Sequence, residues 1–164
     1  MSETVFEIRS DDYSTAEIHR IAKVFPVTGK NLEEKRVRVI NKLAILALDA
    51  LKSASPIDTF ELRDEHIIRD ELANRRNLTA TVVIDSGPHF GRKRKKSYPA
   101  DIIALALDSG YHHKTGTPFT RSQASEPSNL SGISDYDSLS GPTRGWIKEA
   151  KKSFKSARSS AIIG

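Results

Sequence analysis

The sequence predicts an α+β fold in which a small antiparallel sheet packs on one long helix. Three observations lead there. Val37, Ile40, Ala44, Ala47, Leu51 and Ala54 recur at alternating three- and four-residue steps, the spacing of one buried helix face. Leu78, Ala80, Val82 and Ile84 alternate with Thr79, Thr81 and Asp85, the period of a half-buried strand. The polar turn Asn74 to Asn77 separates that strand from a second strand-like stretch, Glu65 to Leu72, so the two read as a hairpin.

Taken in chain order, Val5, Phe6 and Ile8 suggest a short first strand. Ser14 followed by Glu17 is a capping-box pattern, opening a short helix with Ile18, Ile21 and Ala22 inward and Pro26 as its stop. After a turn at Gly29, Asn31 with Glu34 can cap the long helix. A second apolar row, Val39, Leu43, Leu46 and Ala50, widens the stripe. The long helix is therefore covered on more than one side, by a sheet and another helix or by a neighbouring subunit. It should end near Ser55, because the ring of Pro56 disfavours helical geometry in the residue before it. Asp58 and Glu61 form another cap-like pair before the hairpin.

Beyond the hairpin, Ser86 to Pro99 reads as a loop holding Gly87, Pro88, Gly91 and a basic run. Ile102 to Leu107 is apolar without alternation, so a buried helical turn and a central strand both fit. From Thr120 to Pro142 the composition turns to Ser, Gly, Pro and acidic residues, too polar to fold alone. Leu130, Ile133, Tyr136 and Leu139 are isolated apolar points in it and are candidate assembly contacts. Trp146, Ile147, Ala150, Phe154 and Ala157 then share one face of a terminal helix of about four turns. Its opposite face carries Lys148, Lys151, Lys152, Lys155 and Arg158.

At 164 residues the chain suits one domain with appendages. The apolar fraction is 37% and the charged fraction 29%, so part of the chain should lie outside any core. Cysteine is absent, which excludes disulfides, thiolate metal sites and cysteine nucleophiles. The start of the chain, Met1 to Thr4, is acidic, and no stretch approaches the ~20 apolar residues of a membrane span, so a soluble, unsecreted protein is expected.

The net charge of +5 has one address. Without Arg92, Lys93, Arg94, Lys95 and Lys96, the remaining 21 basic residues balance 21 acidic ones. Consecutive Lys and Arg neutralise phosphates without reading bases, so these five are candidate DNA-facing residues. A solvated loop, or one that pairs with acidic residues of a neighbour, has the same composition. His112 and His113, with His89 and Asp108 elsewhere, do not make a metal site: adjacent histidines on a strand point to opposite faces, and no His-x-x-x-His pair fixes a geometry. No nucleophile-elbow context surrounds any serine, and Gly29-Lys30 lacks the upstream glycine of a phosphate loop. No cofactor, metal or catalytic residue is expected.

The residues after the long helix carry a resemblance. Ser55-Pro56-Ile57-Asp58-Thr59-Phe60-Glu61-Leu62-Arg63 resembles a motif of small residue, Pro, Val or Ile, Asp, Thr, Gly, any residue, Leu, Arg, found in a family of small tailed-phage neck and tail-completion proteins. Phe60 stands where that family has Gly, so the turn must avoid positive φ. Leu107-Asp108-Ser109-Gly110 and Gly116-Thr117-Pro118-Phe119 are similar to two later family segments, with Trp146 to Arg158 in the place of the terminal helix.

The resemblance implies a small antiparallel sheet on a long helix, with Pro56, Asp58, Thr59, Leu62 and Arg63 as the motif turn. It implies a structural virion protein without enzymatic activity, which joins head and tail around the DNA passage as a ring at the neck or head-proximal end of the tail. Its partners would be further copies of itself in a sixfold or twelvefold ring, other neck, connector or tail proteins, and DNA by nonspecific contact, with no membrane. Its location would be the virion, and the host cytoplasm during assembly. The alternative is a sequence-nonspecific nucleic-acid-binding protein using loop 92–96. The expected division is a core domain over residues 1–119, an assembly arm or linker over 120–142, and a terminal helix and tail over 143–164.

Overall fold

The computed structural model describes residues 2–55, 62–89, 98–110 and 145–163. Strand β1 (Glu3–Arg9) leads through a 3-10 turn (Ser10–Asp12) into α1 (Thr15–Val24) and the long α2 (Leu32–Ala54). A π-helical turn (Leu62–His66) precedes the hairpin β2 (Ile67–Glu71) and β3 (Thr79–Ile84). Two short strands, β4 (Pro88–His89) and β5 (Tyr98–Pro99), precede α3 (Ala100–Gly110) and the terminal α4 (Trp146–Ile163).

The sheet order is β1-β3-β2, both pairings antiparallel, so the fold class is α+β as the sequence predicts. In β1, Val5 and Phe6 are adjacent yet both buried, which strict alternation forbids. The pairing with β3 explains it: Thr4 faces Val83 and Phe6 faces Val82, leaving Val5 as a bulged extra residue. A bulge re-aims one side chain, and here it brings a second apolar group inward. β2 carries a matching irregularity between Arg69 and Glu71, so both sheet edges are kinked, a common guard against edge-to-edge pairing.

The helix starts follow local hydrogen bonding. Ser14 Oγ accepts from Glu17 N–H at 3.1 Å and Glu17 Oε1 accepts from Ser14 N–H at 3.3 Å, a complete capping box. At α2, Asn31 Oδ1 accepts from Glu34 N–H at 2.9 Å, but the Glu34 carboxylate reaches back to Lys30 N–H at 2.8 Å. With 23 residues, α2 runs about 35 Å, across the whole domain. Both of its apolar rows are covered, by the three-stranded sheet, by α4 and by α1. Ser55 ends it with its N–H on Leu51 O at 3.1 Å.

Three sequence readings are corrected. The strand expected from Glu65 begins at Ile67, because Leu62–His66 winds as a π-helical turn that drives Leu62 and His66 into the core. Ala157 is exposed rather than inward, and Ala161 is buried in its place, since the helix runs on to Ile163 and its covered face drifts. Arg158, assigned to the solvent face, is half-buried. The ambiguous apolar stretch is helical: Ala100, Ile103 and Ala104 are buried on one side of α3.

α4 is fastened to α3 at its start. Gly145 N–H donates to Asp108 O at 2.8 Å, Ile147 N–H to Asp108 Oδ1 at 3.0 Å, and the Trp146 indole N–H to Ala104 O at 3.0 Å. Gly145 has φ +79°, a left-handed conformation that a side chain would strain.

Candidate functional site

Of the motif turn, Leu62 and Arg63 are described, whereas Pro56, Asp58 and Thr59 lie outside the described residues, as does the pairing of Asp58 with Glu61. Leu62 is 2% exposed. Arg63 stays near the surface, its Nε 2.9 Å from Asp64 Oδ1. Together with Asp49, Lys52 and Ser53 of the last turns of α2, these two line a recess of about 320 Å3. Its walls carry both signs of charge, so it offers no field favouring one kind of ion.

Just beyond, His66 Nδ1 lies 2.8 Å from Asp85 Oδ1. An ionised carboxylate can only accept, which assigns the proton to Nδ1. The same oxygen accepts from Gly87 N–H at 3.0 Å, while Asp85 N–H donates to His66 O at 2.9 Å. A carboxylate-oriented imidazole is a motif of hydrolytic sites. Here His66 is 5% exposed and packs in the core. The pair joins the start of β2 to the end of β3. Sequence reasoning missed His66, because its partner stands across a hairpin whose register is not local.

The loop with Arg92, Lys93, Arg94, Lys95 and Lys96 lies outside the described residues. Its base is described. Pro88 pairs with Pro99 and His89 with Tyr98, and Ala100 N–H donates to Gly87 O at 2.9 Å, so the chain leaves and re-enters the fold at one clamped point. A second basic surface is on α4, where Lys148, Lys151, Lys152 and Lys155 are exposed. Leu130, Ile133, Tyr136 and Leu139 also lie outside the described residues, with His112 and His113. Asp108 is occupied in capping α4. Among the described residues no group of His, Asp or Glu is placed to hold a metal ion, and no helix is long and apolar enough to cross a membrane.

A further concave surface was not foreseen. It lies between β1 and α4, where Phe6 and Phe154 meet edge to face with ring centroids 5.2 Å apart. Arg158 sits over the Phe154 ring at 5.7 Å and lines the same groove as Tyr13. Burial pushes the Tyr13 hydroxyl above its ordinary value of 10.0, and the nearby Arg158 guanidinium opposes the rise. No family model, curated protein or solved structure matches this chain.

Proposed function

We infer that the chain is a structural subunit of a tailed-phage particle, assembling as a ring at the neck or head-proximal end of the tail. The observation that carries this reading is the burial of Leu62, the leucine of the motif turn. The motif follows a capped 23-residue helix, in a chain whose order is strand, short helix, long helix, π-helical turn, hairpin, short strand pair, α3 and terminal helix. In this reading the protein acts by contact alone, with copies of itself and with neck, connector or tail proteins, in the virion and, during assembly, in the host cytoplasm. Light scattering behind gel filtration, followed by negative-stain imaging, tests it. Rings of sixfold or twelvefold symmetry are expected; a monodisperse monomer even at high protein concentration overturns it.

The exposed lysines of α4 favour a second reading, nonspecific nucleic-acid binding, in which they add to the positive charge of Arg92 to Lys96. The two readings are compatible if the cations line a DNA passage. They separate by oligomeric state, since a nucleic-acid-binding monomer has no need of a ring.

A further inference from the structure

The groove between β1 and α4 has the chemistry of a peptide-docking site. Its volume is about 240 Å3, below the ~300–1,000 Å3 of a small-ligand or cofactor site and sufficient for an anchoring side chain or two. Phe6, Tyr13 and Phe154 supply an aromatic floor. Lys151, Lys155 and Arg158 line one wall, and their spacing of four and three residues puts them on one face of α4. Lys151 and Lys155 are exposed and form no ion pair among the described residues. Of the carboxylates lining the groove, Glu7 is held by Arg9 at 2.5 Å, which leaves Asp12 facing three cations. An acidic strand of chain with an apolar anchor is the complement of such a surface.

The sequence contains one. From Ser122 to Pro142 there is no Lys or Arg, while Glu126, Asp135 and Asp137 are acidic, and Tyr136 stands between two of them. The chain between α3 and α4 departs from and returns to one point, fixed by the Asp108 and Gly145 bond of 2.8 Å. Residues 111–144 can therefore reach outward by half their number, about 55 Å when extended. That is well beyond the ~20 Å from Gly145 to Arg158 along α4. A subunit's own groove and a neighbour's are both within range.

We propose that Asp135, Tyr136 and Asp137 of a second copy of this chain dock in this groove. Tyr136 lies on the aromatic floor, and the two aspartates pair with Lys151 and Lys155. The choice of a second copy rests on the ring reading, in which each exchanged segment links two subunits.

The test uses the full chain with a photoreactive benzoylphenylalanine in place of Tyr136, prepared as an equal mixture of 14N- and 15N-labelled copies and read by mass spectrometry. Cross-links are expected to peptides of β1 or to residues 151–158, including pairs of unlike isotope. Lys151→Glu with Lys155→Glu should lower their yield about tenfold or more, as like charges then face each other. Adding Asp135→Lys and Asp137→Lys should restore it, which a merely misfolded variant would not permit. Cross-links at other places, within single copies only, or undiminished by charge reversal overturn the proposal. So does a swap that fails to restore them while the two Glu substitutions abolish binding to short duplex DNA, which assigns the cations to phosphate. Imaging the same samples keeps the two readings apart. Rings without these cross-links leave the ring reading and remove the groove; cross-linked pairs without rings do the reverse.

Discussion

The Asn41 side chain makes both backbone hydrogen bonds of Ala73, donating from Nδ2 to the carbonyl at 3.0 Å and accepting the N–H on Oδ1 at 2.7 Å. An amide on α2 thus replaces the partner strand that the chain loses as it leaves β2 for the turn. Asn41→Leu keeps the approximate volume and strands both backbone groups. The expected cost is about 2 kcal/mol, the site being partly reached by water. Urea unfolding measures it; an unshifted midpoint would show that water replaces both bonds.

Leu62 tests the motif turn. At 2% exposure its truncation removes packing that the surrounding core cannot fully refill. Leu62→Ala should cost about 2 to 5 kcal/mol. A melting temperature equal to that of the parent chain would mean that the turn does not anchor the sheet to α2.

Tyr13 gives the fold an alkaline limit. Its hydroxyl titrates higher in the folded protein than its ordinary 10.0. The neutral form is then the one that folding prefers. Its contribution is complete below pH 10 and is lost as pH rises from there through the folded value. Tyr13→Phe should flatten the decline in stability over that window relative to the parent. Denaturant unfolding at pH 9 to 11.5 provides the comparison, and parallel curves would exclude Tyr13 as the cause.

The basic loop should bind DNA weakly and without sequence preference, because loop cations offer no helix-borne framework for reading bases. With at most five phosphates neutralised by Arg92 to Lys96, the logarithmic salt slope per subunit should be no steeper than about −4.5. Replacing the five by serine should abolish binding at low salt. Affinity that survives this change but falls on replacing Lys148 and Lys152 would move the contact to α4.

What the sequence revealed of the fold depended on the range of the interaction involved. The Ser14–Glu17 box and the Asn31 cap span three residues, and the α2 stripe repeats within one helix, so all were legible. Val5 is buried because of its register against Val83 and Val82, and that pairing is invisible until β3 is in place. Ala157 and Arg158 were misplaced for a related reason: an ideal helical face was extended past Phe154, whereas the chain bends its contacts toward Ala161 and toward Tyr13. The β1–α4 groove escaped notice because it joins the two ends of the chain, which no local pattern relates. Of the motif turn, Leu62 and Arg63 fall among the described residues.

The bond between Asp108 and Gly145 decides how freely this protein can change. Because the chain departs and returns at one hydrogen-bonded point, the core bears no tension from the number of residues between them. A change in the number of residues between Asp108 and Gly145 therefore leaves the two fixed ends where they are, and with them the sheet and α2.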